Sequence, residues 1–163
     1  MKNIRILIMW VTILVALNYS VTAQTHPNSI YLEFFGNGGL YSLNYDRLFT
    51  EDFGARIGFM YFETEQFFFW TDIELFLIPL TINYLPGSKN HKLELGIGPV
   101  IVFGSAGLFG LESVSGSGIG GTATIGYRYQ PADGGFLFRI GFTPYFGFDE
   151  FHPTGGLSVG YAF

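Results

Sequence analysis

Phe136-Leu137-Phe138-Arg139-Ile140-Gly141-Phe142-Thr143-Pro144-Tyr145-Phe146-Gly147-Phe148 decides the fold class. Phe136, Phe138, Ile140, Phe142, Pro144 and Phe146 fall on one side of an extended chain. Leu137, Arg139, Gly141, Thr143, Tyr145 and Gly147 fall on the other. A period of two marks a strand with two unlike faces, one large and greasy, the other small or polar. Residues 119–130 repeat it, with Ile119, Ala123, Ile125, Tyr127 and Tyr129 against Gly120, Thr122, Thr124, Gly126 and Arg128. Residues 53–61 do so again, with Phe53, Ala55, Ile57, Phe59 and Tyr61 opposite Arg56, Gly58 and Met60. Turn residues at 36–39, 50–52, 86–90 and 131–135 separate the alternating runs. Eight strands are predicted, over 30–36, 40–49, 53–63, 72–85, 91–104, 118–130, 135–148 and 154–163, with loops at 64–71, 105–117 and 149–153.

Composition says which way the two faces point. The 163 residues include 19 Phe, 10 Tyr, 2 Trp and 23 Gly, yet only 13% are charged and none is Cys. A soluble domain is about 25% charged, so this chain has too little charge to coat a barrel whose apolar face points inward. Turning the barrel inside out removes the difficulty: the aromatic face meets lipid and the Gly/Thr/Arg/Glu face fills the lumen. A sheet in hydrocarbon must close, because an open edge leaves backbone groups unpaired. The expected fold is therefore all-β, a closed eight-stranded antiparallel transmembrane β-barrel over 29–163. A net charge of −5 argues against nucleic acid as a partner.

The N-terminus reads as an export signal. Lys2 and Arg5 precede an apolar run from Ile6 to Leu17, and Val21-Thr22-Ala23 supplies the small residues of a cleavage site. The run is too short to span a bilayer as a helix. Residues 1–23 are assigned as signal peptide and 24–28 as a short extension, which makes the bacterial outer membrane the expected location. With both ends of the barrel in the periplasm, the short polar turns at 50–52, 86–90 and 131–134 fall inside and the longer loops outside, as in bacterial barrels. Aromatics gather at both strand ends, for example Tyr45, Phe53, Tyr84 and Phe136 below and Tyr41, Tyr61, Phe76 and Phe103 above.

Four stretches carry a resemblance: Asn37 to Arg47 (NGGLYSLNYDR), Ile78 to Leu85 (IPLTINYL), Gly126 to Pro131 (GYRYQP) and Gly156 to Phe163 (GLSVGYAF). The chain resembles small eight-stranded outer-membrane proteins of the OmpA/OmpX type, and uncharacterised members from Bacteroidota in particular. The resemblance implies a barrel without assigned catalytic residues. Terminal Phe163, with Tyr161 two residues before it, is similar to the signal read by the barrel-assembly machinery, with Ser158 where a glycine is usual.

Inside the barrel, Glu33, Asp46, Arg56, Glu94, Arg128 and Arg139 all face the lumen near the periplasmic ends of their strands. Three acids and three bases at one height predict a paired network, because an unpaired buried charge costs several kcal/mol. An eight-stranded interior is just wide enough for side chains, so this layer is expected to act as a plug. Above it Ser42, Met60, Gly98, Thr122, Thr143, Tyr145 and Gly156 face inward, and Met60, Tyr145 and loop residues are expected to fill the space.

The outer rim is acidic and aromatic. Glu63, Glu65, Asp72, Glu74, Glu112, Asp149 and Glu150 map there without a Lys or Arg, around Phe67-Phe68-Phe69-Trp70. With His152 they form the candidate interaction surface, whose expected neighbours are the bilayer, lipopolysaccharide and an unspecified surface ligand. His26, His91 and His152 show no metal-ligand spacing, and no cofactor or metal is expected. His152 beside Asp149 and Glu150 leaves open a lipid-modifying hydrolase or acyltransferase, and the barrel itself a minor passive pore. A secreted lipocalin-like carrier is a further alternative. The chain is expected to be a monomer with a structural or surface-interaction role.

Overall fold

The computed structural model describes residues 27–67, 70–108, 114–147 and 150–163. The assigned signal peptide, residues 24–26 of the extension, and Phe68, Phe69, Glu112, Phe148 and Asp149 lie outside the described residues. The strands are β1 (Asn28–Phe34), β2 (Tyr41–Leu48), β3 (Phe53–Phe67), β4 (Trp70–Tyr84), β5 (Gly87–Ser88) and β6 (His91–Leu108). They continue with β7 (Val114–Tyr129), β8 (Gly135–Phe142), β9 (Tyr145–Gly147), β10 (Glu150–His152) and β11 (Gly155–Ala162). Every pairing is antiparallel, and β1 pairs with both β2 and β11, which closes the sheet on itself.

The eleven segments make an eight-stranded barrel. β8 and β9 are one wall strand interrupted at Thr143-Pro144, and β10 and β11 are another interrupted at Pro153-Thr154. Their register runs unbroken through the gap, from Phe142↔Gly155 to Tyr145↔His152, so the two prolines face each other. Proline lacks the N–H that a ladder uses, which is why both segments lose strand character there. β5 is a two-residue addition beside the start of β6.

The alternation in the sequence becomes the two faces of the wall. Ile82, Ile97 and Ile119 on the outside are 67%, 70% and 73% exposed, while Glu33, Asp46, Glu94 and Arg128 on the inside are buried. Aromatics stand outward near both ends, among them Tyr45, Phe53, Tyr84, Phe136 and Tyr161 below and Tyr41, Tyr61 and Phe103 above. So large an apolar exterior suits a barrel in lipid rather than water.

The wall is taller than the strand pattern predicts. Residues 64–71, 105–117 and 149–153 read as loops, but β3 and β4 pair up to Phe67↔Trp70, and β6 and β7 up to Ala106↔Val114. Backbone pairing carries these extensions without a greasy alternating face, so side-chain period could not reveal them. The β1–β2 corner differs in the opposite sense. β1 stops at Phe34, and Gly36, Asn37 and Gly38 are buried, so this hairpin tip folds into the lumen rather than continuing the wall.

Candidate functional site

The lumen has three layers. Leu48, Leu85 and Leu137 are buried at the end of the barrel that holds Asn28 and Phe163 and form an apolar floor. Beside them Lys92, which strand pattern did not single out, donates to the Glu51 carbonyl and lies 4.0 Å from Asp52.

Above the floor the six lumen charges meet in an alternating series. Arg56 pairs with Glu33, Glu33 lies 3.6 Å from Arg139, and Arg139 grips Glu94 through Nε and Nη2 at 2.7 and 2.6 Å. Glu94 lies 3.9 Å from Arg128, whose Nη1 donates to Asp46 at 2.8 Å. Arg128 and Arg139 are direct cross-strand partners, an arrangement that like charges disfavour. Glu94 on the neighbouring strand touches both and offsets that repulsion. The two-pronged grip of Arg139 is the strong form of a charged hydrogen bond. Tyr31 lies among these groups with its ring under the guanidinium of Arg139, 4.6 Å from the centroid. Tyr31 is an inward aromatic on a strand whose other apolar residues point out, and only its parity within β1 hints at this.

The hairpin tip caps this layer. Asn37 accepts from Arg56 Nη1 at 2.8 Å and Thr124 Oγ1 at 3.1 Å, and donates to Thr122 Oγ1 at 2.6 Å and the Ala123 carbonyl at 3.0 Å. The Ala123 carbonyl is the one that faces Pro144, where the ladder has no donor to offer; Ala123 N in turn donates to the Pro144 carbonyl at 3.2 Å. Asn37 thus supplies the hydrogen bond that proline removes. Glycine makes the inward fold possible: a Cβ on Gly36 would stand 2.1 Å from Glu33 Cδ, and Gly39 has φ +83°. Phe35, at φ 58°, enters the turn in a left-handed conformation that costs a non-glycine residue about 1 kcal/mol. Asn37 was legible in the sequence only as a turn residue.

The third layer is apolar. Met60, Leu77 and Val100 form a buried cluster inside the barrel, with Phe62, Leu75, Val102 and Tyr145 packed against it. Beside the cluster is a cavity of about 450 Å³ between the hairpin tip, β3, β4, β9 and β11. Met60 and Tyr145 line this space and do not by themselves fill it; the in-turned hairpin leaves the wall low here, and among the described residues no side chain spans the gap.

Of the rim residues, Glu63 and Glu74 are the pair that the described residues bring together. Glu63, Glu65 and Glu74 are exposed on the outer side of the wall, and Glu63 pairs directly with Glu74. The Tyr61 hydroxyl donates to Glu63 at 2.8 Å and lies 3.4 Å from Glu74. Asp72 lies in β4 as predicted, and Phe67, Trp70 and Glu150 lie in β3, β4 and β10 rather than in loops. His152 is exposed in β10, whereas the Ser42 hydroxyl is buried beneath the hairpin, accepting from Asn44 at 2.9 Å. Tyr161 and Phe163 face outward at the lower end, and Phe163 is tied to Asn28 by reciprocal backbone hydrogen bonds of 2.8 and 3.0 Å. Among the described residues no group of three or more acidic or histidine side chains could hold a metal ion.

No protein-family model matches the chain, and no curated protein matches it in sequence. Solved structures do match. The N-terminal β-barrel domain of Pseudomonas aeruginosa OprF aligns with TM-score 0.65 and 16% identity over 85% of this chain and 100% of its own. Ail, the attachment invasion locus protein of Yersinia pestis, aligns with TM-score 0.54 and 16% identity over 84% of this chain and 97% of its own. Ail has also been solved with the heparin analogue sucrose octasulfate. Closed, antiparallel and apolar outside, the chain has the fold of the small eight-stranded outer-membrane β-barrels.

Proposed function

We propose that the protein resides in the bacterial outer membrane as a closed, non-catalytic barrel with a structural or surface-interaction role. The observation that carries this reading is the alternating series of six buried charges, capped by Asn37. Such a layer occupies the narrow interior with groups that must stay paired, so it favours a plug over a path for ions. Tyr161 and Phe163 are available outward at the periplasmic end for the barrel-assembly machinery. The outer wall presents Glu63, Glu65 and Glu74, and residues 27–163 carry all their Lys and Arg in the lower half. A sulfated ligand like the one seen on Ail would be repelled there, so a surface partner would be cationic, or bridged by divalent ions to lipopolysaccharide.

The test combines electrical recording with one substitution. The native protein in planar bilayers is expected to give no discrete ion channels, and clear channels would overturn the plug. Arg128→Met strands Asp46 and is expected to lower stability to urea while conductance stays near zero. Heat-modifiable migration in detergent gels checks that the barrel has formed.

A further inference from the structure

The upper cavity differs from the rest of the lumen in chemistry and in access. Its walls include Leu40, Met60, Leu75, Leu77 and Tyr145. The polar groups among its lining residues are already used: the Tyr145 hydroxyl donates to the Gly36 carbonyl at 2.9 Å, and the Thr154 hydroxyl donates to the Thr143 carbonyl. Neither hydroxyl is left to orient a polar ligand, yet about 450 Å³ is within the size range of small-molecule sites.

Access is from the side. The wall at β1 and β2 ends at Phe34 and Tyr41, level with Tyr61 of β3, whose hydroxyl-bearing neighbour Tyr41 donates to the Tyr61 carbonyl. β3 then runs on to Phe67, about 20 Å of further strand. On the other flank β11 and β10 continue past Leu157, the partner of Phe34. The result is a notch in the wall above the hairpin. Phe35 and Leu40 stand at its lip, 65% and 48% exposed, and Phe35 holds its left-handed φ there. The notch opens at the level of the outward tyrosines Tyr41 and Tyr61, where a membrane interface places such rings.

We propose that the upper lumen takes up one acyl chain of a bilayer lipid, which enters sideways over Phe35 and Leu40. The occupant is a lipid chain and not a free fatty acid, because the wall beside the notch carries Glu63 and Glu74, which repel a carboxylate. This rests on the membrane placement proposed above.

The experiment uses the purified protein in phosphatidylcholine vesicles containing a phosphatidylcholine with a photoactivatable diazirine in one acyl chain, with sites of labelling mapped by mass spectrometry. Met60, Leu75 and Leu77 are expected to be labelled together with the outward residues Ile82, Ile97 and Ile119. Labelling confined to the outward residues overturns the inference and leaves the membrane placement standing. No labelling at any of these residues overturns both. A second arm replaces the probe with a diazirine-bearing free fatty acid; lumen labelling by that probe alone overturns the assignment to bilayer lipid. Leu75→Trp, which narrows the cavity, is expected to reduce labelling of Met60 several-fold with Ile97 unchanged, and unchanged Met60 labelling counts against the inference. Should that variant fail to fold, Leu40→Trp blocks the lip from a half-exposed position and is read the same way.

Discussion

The lower and upper halves of the lumen are built on opposite principles. Below, polar groups from strands distant in sequence interlock: Arg128 on β7 reaches Asp46 on β2, and Arg139 on β8 reaches Glu94 on β6. Above, Met60, Leu77 and Val100 cluster beside open volume. Paired charges tolerate no substitution that strands a partner, whereas an apolar surface beside a cavity has already forgone part of its packing. Rigidity is therefore concentrated below, and adaptability above.

The comparison breaks most readily at Arg139. Arg139→Met leaves Glu94 without its two-pronged partner and Glu33 without one of two cations. Removal of one partner from a buried pair costs about 3–5 kcal/mol, and urea unfolding of the refolded barrel in phospholipid vesicles measures it. The double variant Arg139→Met with Glu94→Gln is expected to recover a substantial part of the loss, since no stranded carboxylate remains. A loss smaller than that from an upper-lumen truncation would invert the proposed division.

Next in size is Asn37→Ala. It removes four hydrogen bonds, strands Arg56 Nη1 and exposes the unpaired Ala123 carbonyl. A charged hydrogen bond together with a buried orphan carbonyl amounts to about 3 kcal/mol. Leu77→Ala follows at about 2 kcal/mol, the low end for buried leucine, because the space beside it is open already. A cost near the upper end would mean that the cavity collapses around Leu77 in the native state.

What was legible in the sequence follows the same division. The charged layer could be placed because a period of two fixes the face and the distance from a turn fixes the height. Glu33, Asp46, Arg56, Glu94, Arg128 and Arg139 needed only those two coordinates. The hairpin tip could not be placed in this way. Gly36-Asn37-Gly38-Gly39 has the composition of any tight turn, and its inward course depends on Arg56, Thr122 and Thr124, up to 87 residues away. The upper parts of the β3–β4 and β6–β7 walls are not legible because backbone pairing beyond the alternating apolar band asks little of side chains. Glu65 consequently belongs to strand wall, not to loop.

The junction between the two halves is Asn37 opposite Pro144, and it offers the finest test. Pro144→Ala restores an N–H facing the Ala123 carbonyl, but that carbonyl already accepts from Asn37 at 3.0 Å. The single substitution gains little there and frees the unfolded chain somewhat, so its net effect is expected near zero. In the Asn37→Ala background the same N–H meets an orphaned carbonyl, and about 1 kcal/mol should return. A double-mutant cycle isolates that coupling, because the two residues share one acceptor. Zero coupling would show that the seat of the hairpin is set by Arg56, Thr122 and Thr124 without Pro144, which then marks the end of the tight lower half without helping to hold it.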